Sequence, residues 1–283
     1  MPTELTVTVE DIEFFADNVD VQRAAETFKE HGCLVVRGLM KPYIKDIHRD
    51  IEAAAAESIA LLDDAQKIVE GWRTPNGTLF LPAPPGYKRD KQIMVLAVNH
   101  YTSAAFFRSA FDERAIDIVE AIVGPNIEMF GNGQCLYKEP IGGHPKHLHQ
   151  DSAYFEHRYQ GPVGLLNYVV DTDLVNGALH VVPGSHRMGQ LKHIDTFSHL
   201  GLDDTQWPWE RALPIVGEAG DSIFSTSRRS TALNRICQTN HVRFSSTDTV
   251  ERMTTLLSVE QQPRIAPKRK SVPLKQIKGI SVD

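Results

Sequence analysis

From Ile127 onward the chain breaks into short β-type runs, and this change of pattern limits the fold more than any other feature. Ile127 to Tyr137, His147 to Tyr154, Gly164 to Asp171 and Ala178 to Val182 read as strands. Asn176-Gly177 and Pro183-Gly184 supply turn chemistry between them. Upstream the pattern is helical. Val21 to His31 predicts a helix with Ala24, Ala25 and Phe28 on one side, stopped by Gly32 because glycine tolerates the left-handed conformation. Cys33 to Arg37 reads as a short buried strand ended by Gly38. Lys41 to Leu62 predicts a second helix, with Ile44, Ile47, Ile51 and Ala55 at helical spacing and Pro42 in its first turn. Residues 63–100 read as irregular, and Phe111 to Val123 as a third helix closed by Gly124-Pro125. Helices followed by a run of strands predict a mainly β fold with flanking helices, an antiparallel sheet or barrel with helices packed outside.

Bulk properties narrow the function classes. A chain of 283 residues, 41% hydrophobic and 23% charged, is ordinary for a globular protein. No run of ~18 apolar residues appears, so no membrane span is expected. Met1-Pro-Thr-Glu-Leu-Thr lacks the basic flank and apolar core of a signal peptide. Cys33, Cys135 and Cys237 are scattered, which suggests a reducing, cytoplasmic setting without a disulfide frame. The net charge of −6 argues against nucleic acid as the main partner.

One stretch carries chemistry. In His147-Leu-His149-Gln-Asp151-Ser-Ala-Tyr154 a histidine and a carboxylate stand two residues apart. In a strand, residues i and i+2 share a face. His149 and Asp151 are therefore expected to grip one metal ion from one side, as two members of a 2-His-1-carboxylate facial triad. The bland alternative is a polar strand face. His144 and His147 read as loop or supporting residues. Ser185-His186-Arg187 reads as a structural loop, and Trp207 and Trp209 as either a pocket lid or simple packing.

The ordered set of segments resembles the phytanoyl-CoA dioxygenase family of Fe(II)/2-oxoglutarate oxygenases. Phe28 to Gly38 looks like its opening helix and strand, His147 to Phe155 like its metal motif, Asn176 to Arg187 like its next strand and loop, and Gly217 to Phe224 like the start of its late strand. The likeness covers roughly residues 20–224. It implies a double-stranded β-helix (jelly-roll, cupin-like) core. It also implies that Fe(II), the cosubstrate 2-oxoglutarate and O2 together hydroxylate a small-molecule substrate. Gln134 and Lys138 share parity ahead of the metal motif. Both are candidates to face the pocket, Lys138 as a charge partner for a carboxylate; a polar strand face is the equal alternative.

The family pattern breaks after Phe224. It implies a second histidine ligand at the position of Thr231, then an arginine about eleven residues later for 2-oxoglutarate. This sequence has no histidine there until His241. Composition changes at the same place. Residues 225–283 hold 11 Lys and Arg against 4 Asp and Glu, a net of +7, while residues 1–224 hold 19 against 32, a net of −13. The tail has no Trp or Tyr and a single Phe, Phe244, a composition ill suited to a buried core. Back-translated and read one nucleotide earlier, residues 225–243 permit Phe-His-Val-Lys-Thr-Val-His-Gly-Ser-Glu-Pro-Asn-Met-Ser-Asp-Lys-Ser-Arg-Pro. That string holds a His-Gly-Ser with an arginine eleven residues after its histidine. The expected organisation is an oxygenase-like domain over residues 1–224, its core incomplete at the C-terminal end, and a basic, out-of-frame tail over 225–283. The Pro267-Lys-Arg-Lys270 run then belongs to that tail rather than to a nuclear or nucleic-acid signal.

Three function classes remain open on sequence. The first is an Fe(II)/2-oxoglutarate dioxygenase, impaired if the second histidine and the arginine are missing. The second is an inactive family member that acts as a binding protein. The third is a zinc metallo-hydrolase, because His147-Leu-His149-Gln-Asp151 partly matches an H-x-H-x-D-H motif, with Ser152 in place of its last histidine. Oligomeric state is not legible.

Overall fold

The computed structural model describes residues 7–139, 147–154, 162–196, 200–226, 230–233 and 239–246, the last two segments and 130–132 as backbone only. The N-terminal part runs β1 (Glu13–Phe15), α1 (Val21–His31), β2 (Cys33–Arg37), α2 (Ile44–Ala60), β3 (Gln66–Lys67), β4 (Trp72–Arg73), β5 (Leu79–Pro82), β6 (Lys91–Leu96), α3 (Ala104–Ala110) and α4 (Glu113–Val123). The remainder is nearly all strand: β7 (Ile127–Leu136), β8 (His149–Gln150), β9 (Val163–Tyr168), β10 (Leu179–Val181), β11 (Ile194–Asp195), β12 (Leu200–Gly201), β13 (Leu213–Ile215), β14 (Ser222–Thr226), β15 (Ser230–Leu233) and β16 (Thr239–Ser246).

Two sheets face each other. The large one has the order β1-β2-β14-β9-β16-β7-β6-β5-β4-β3, and the small one β13-β10-β15-β8. β11 and β12 form a separate two-stranded ribbon. Apart from the parallel pair β1 and β2, the ladders are antiparallel. This is the expected mainly β jelly roll with helices outside.

Strand β2 shows why both faces of the large sheet are covered. Cys33 and Val35 join Leu136, Leu166, Tyr168 and Ile223 in a core shared with Leu179, Val181 and Ile215 of the small sheet. Leu34 and Val36 point the other way, against Phe28 of α1 and Ile118 and Val119 of α4. A strand buried on both faces loses polar alternation and reads as a continuous apolar run. A third cluster packs Ile47, Ile51 and Ala55 of α2 against Phe80, Ile93 and Leu96. Tyr168 ties the two sheets together: its hydroxyl donates to Ile215 O at 2.7 Å and accepts from Leu179 N–H at 2.9 Å.

Helix ends follow the local chemistry. Asp20 accepts from Gln22 and Arg23 N–H at the start of α1, and Gly32 closes it at φ 74°. The Ser185–Met188 turn packs on that end, with His186 and Arg187 reaching Lys29 O and Glu30 O. That contact makes Ser185-His186-Arg187 structural.

Three expectations need correction. Residues 63–100 are not irregular; they contain β3 to β6, an antiparallel extension of the large sheet. Gln66 and Lys67 are both exposed and the strands are short, so no alternation marks them. The third helix is present as α4, begun by the Asp112 cap on Arg114 N–H, and a helix the sequence did not mark, α3, precedes it under a Ser103 cap on Phe106 N–H. The second helix begins with a 3-10 turn at Lys41–Tyr43 before Ile44. His147 to Tyr154 is not one strand: only His149–Gln150 is extended, and Asp151–Ala153 turns into a 3-10 helix. Beyond Phe224 the backbone continues as strands β14 to Thr226, β15 and β16, which enter both sheets.

Candidate functional site

The H-x-D stretch lies at the edge of the small sheet, on β8 and the turn that follows. Residues 150 and 152 face the 189–193 loop. Gln150 is fully buried; its amide donates to Gly189 O at 2.9 Å and accepts from Leu191 N–H at 2.8 Å, and Ser152 Oγ donates to Gln190 Oε1 at 2.5 Å. The 189–193 loop is thereby fastened to one side of the motif, and residues 149 and 151 are left for the other.

His149 Nδ1 lies 2.9 Å from His147 O. A carbonyl only accepts, so Nδ1 carries the proton and the neutral ring keeps its lone pair on Nε2. Nε2 stands 3.6 Å from Asp151 Oδ1, with the two side chains 10% and 16% exposed. That spacing is too long for a strong hydrogen bond and suits two donors converging on one cation. The 3-10 turn, rather than an extended i, i+2 step, supplies the convergence. Tyr154 stands edge-on to the His149 ring at 6.2 Å.

His193 is a supporting residue that the sequence did not reveal. Its Nδ1–H donates to Leu191 O at 2.9 Å, and its Nε2 accepts from Gln150 N–H at 2.9 Å. Burial lowers its pKa, and the nearby His149 adds to that. Neutral His193 therefore satisfies a β8 backbone donor at the edge of the sheet. No motif spacing links it to His149; only the fold of the 189–193 loop does. His147 pairs with Asp204 at 2.8 Å on the exposed side.

Gln134 lies on β7, exposed, with the parity of Leu136, which packs between the sheets. Lys138 is two residues past the end of β7 and is 3% exposed. Trp207 and Trp209 pack against Leu148, Leu202 and Ala212, and Trp209 meets the buried His180 ring edge-on at 4.7 Å. His144, Phe155 and the 267–270 run lie outside the described residues.

The late-strand segment is anchored by Asp221. Its Oδ1 accepts from Gly38 N–H at 2.8 Å, and its Oδ2 accepts from Arg37 Nη1 at 2.8 Å and from Glu218 N–H at 2.9 Å. Arg37 also donates to Glu13 at 2.6 Å. Gly220 sits at φ 101°, where an added Cβ would lie 2.8 Å from Lys41 N. This explains the Gly-Asp pair at the start of β14 in structural terms.

After β14 the chain crosses to the small sheet. β15 pairs with β8 so that Thr231 lies directly opposite His149 and Ser230 opposite Gln150. On its other side Thr231 pairs with Val181 of β10. In β16, His241 is in register with Gln134 and Leu166, and Val242 with Leu165. Among the described residues no three His, Cys, Asp or Glu side chains gather as a metal site.

Comparison with known proteins agrees with this architecture. The crystal structure of SnoK, a non-heme alpha ketoglutarate dependent carbocyclase from nogalamycin biosynthesis, superposes with a TM-score of 0.58 at 16% identity, covering 82% of this chain and 85% of that one. EctD from S. alaskensis, solved with 2-oxoglutarate and 5-hydroxyectoine, gives 0.58 at 15% identity, covering 80% and 76%. At these identities the likeness establishes the fold. A protein of Stutzerimonas stutzeri described as a probable alpha-ketoglutarate-dependent hypophosphite dioxygenase is 31% identical over 111 residues, 38% of this chain and 37% of that protein. The match spans little more than a third of that relative. The sequence profile of the phytanoyl-CoA dioxygenase family matches residues 28–228, most of the chain. This chain belongs to the phytanoyl-CoA dioxygenase family, whose enzymes are Fe(II)- and 2-oxoglutarate-dependent oxygenases.

Proposed function

We propose that the site around His149 and Asp151 serves hydroxylation of a small organic substrate at the expense of 2-oxoglutarate and O2, and that the 283-residue chain is impaired in that reaction. The observation that carries both halves is the β8–β15 ladder. His149 and Asp151 fit two corners of a facial triad, with the His149 tautomer held by His147 O. Directly across the ladder from His149 stands Thr231, a hydroxyl-bearing residue where a histidine would complete the set. The residues present therefore do not fit a three-ligand iron centre. Two ligands leave a divalent cation weakly held, and at the spacing of eleven residues after Thr231, where an arginine would pair the 2-oxoglutarate carboxylate, stands Val242, with Arg243 one position on.

Leu136, Leu166, Leu179 and Ile215 pack the space between the sheets, and Gln134, with the parity of Leu136, stands exposed on β7. The metallo-hydrolase reading gains nothing from the geometry, because Ser152, at the place of the last histidine of that motif, is engaged with Gln190 of the 189–193 loop.

The test is succinate release from 2-oxoglutarate under air, with Fe(II) and a panel of small organic substrates. Slow, Fe(II)-dependent release that disappears in His149→Ala is the expected result. Zinc-dependent hydrolysis indifferent to O2 would overturn the reading. So would retained ligand binding with no succinate at all, the behaviour of a binding protein.

A further inference from the structure

We propose that residues 225–283 are translated one nucleotide out of register with the first 224, and that the displaced frame places a histidine at position 231 and an arginine at position 242. The inference rests on the oxygenase reading, and four independent observations support it. The charge balance turns from −13 over residues 1–224 to +7 over 225–283. The family match stops at residue 228, within four residues of that turn. The backbone pairs position 231 with His149, so the one place where the metal set is short by a ligand is the place where the displaced frame permits histidine. Position 242 lies in β16, between β7 and β9 of the large sheet, and the displaced frame permits arginine there.

The genetic code makes this sharp. The displaced codon at 231 takes its first base from the third base of the Ser230 codon and its other two from Thr231. Only cytosine in that third base yields histidine; adenine yields asparagine, guanine aspartate and thymine tyrosine. The displaced codon at 242 takes its first base from the third base of the His241 codon. Cytosine there allows arginine, and thymine yields cysteine. A one-base deletion within or beside the Phe224 codon produces the present frame. Strands still form after it because two sheets with open ladders accept any backbone able to extend. Their register sets position 231 opposite His149, and a one-residue slip would exchange the two faces of each strand.

The coding DNA across codons 220–260 tests this first. Cytosine as the third base of both the Ser230 and His241 codons, with no stop in the displaced frame up to codon 255, is the expected result. Any other third base at Ser230 or His241, or a stop, overturns the inference. The protein test compares three chains by anaerobic Fe(II) titration: the 283-residue chain, its Thr231→His variant, and the chain made from the gene with one base restored at codon 224. The restored chain should bind Fe(II) at least ~10-fold more tightly than the 283-residue chain, with Thr231→His in between. Equal affinities of the 283-residue and restored chains overturn the inference, and if Thr231→His fails to fold the restored chain still decides. The two readings fail differently. Tight Fe(II) binding by the restored chain without 2-oxoglutarate turnover would sink the proposed function alone; wrong third bases would sink the frame alone.

Discussion

Thr231 lies directly across the antiparallel ladder from His149, eighty-two positions away along the chain and adjacent in space. On the proposed reading the pairing makes a local motif an incomplete site: the two-residue strand β8 would supply one ligand, the turn after it a second, and the neighbouring strand carries a residue with a hydroxyl.

Metal binding by the chain as it stands should depend on the pair and be weak. His149→Ala and Asp151→Asn are each expected to reduce Fe(II) or Co(II) affinity by at least ~10-fold, since a single remaining ligand holds a cation poorly. Calorimetric titration under anaerobic conditions reads this directly. Unchanged affinity in both variants would place the metal elsewhere.

His193 is predicted to support β8 without touching a substrate. His193→Ala leaves the buried Gln150 N–H without its acceptor, at a cost of about 1–3 kcal/mol in stability. Urea unfolding monitored by tryptophan fluorescence checks this. A loss well below that range would mean the loop closes over the gap.

Asp221 should be the more costly residue to remove. Its carboxylate is 6% exposed and faces Arg37, Gly38 N–H and Glu218 N–H. Asp221→Ala leaves Gly38 N–H and Glu218 N–H without their acceptor and Arg37 with Glu13 as its remaining carboxylate partner, and is expected to cost about 2–5 kcal/mol. Asp221→Asn, which retains an acceptor oxygen, should cost less. Equal losses in the two variants would show that hydrogen bonding to the backbone contributes nothing beyond charge.

Stability should fall on the acid side through His180. Burial lowers its pKa below the usual histidine value, against the opposing effect of its 3.0 Å contact with Ala178 O. The unfolded chain then binds the proton more readily than the folded one. The contribution is complete above about pH 6.5 and is lost as the pH falls toward the lowered value. Thermal unfolding of the wild-type chain and His180→Phe between pH 7.5 and 5 should show a shallower decline in the variant. Parallel declines would assign the acid sensitivity to other groups.

Much of the architecture is written in local pattern. The Asp20 cap, the Gly32 stop and the apolar run of β2 follow from residues close in sequence, because caps, turns and strand periodicity are short-range effects. The short strands between Gln66 and Leu96 escaped because two to six residues with polar members carry no periodic signal. The H-x-D pair was legible as a candidate metal motif, though its geometry comes from a 3-10 turn that spacing alone represents as a strand.

By itself the sequence determined the family-like order of segments, the candidate ligands His149 and Asp151, and the break in composition after Phe224. Tertiary structure alone decided that His193 satisfies the β8 backbone, that Asp221 joins the start of β14 to β2, and that position 231 faces His149. These are contacts between residues tens of positions apart. Their partners are chosen by sheet order and register, which depend on how all the strands close together and on no single stretch of chain.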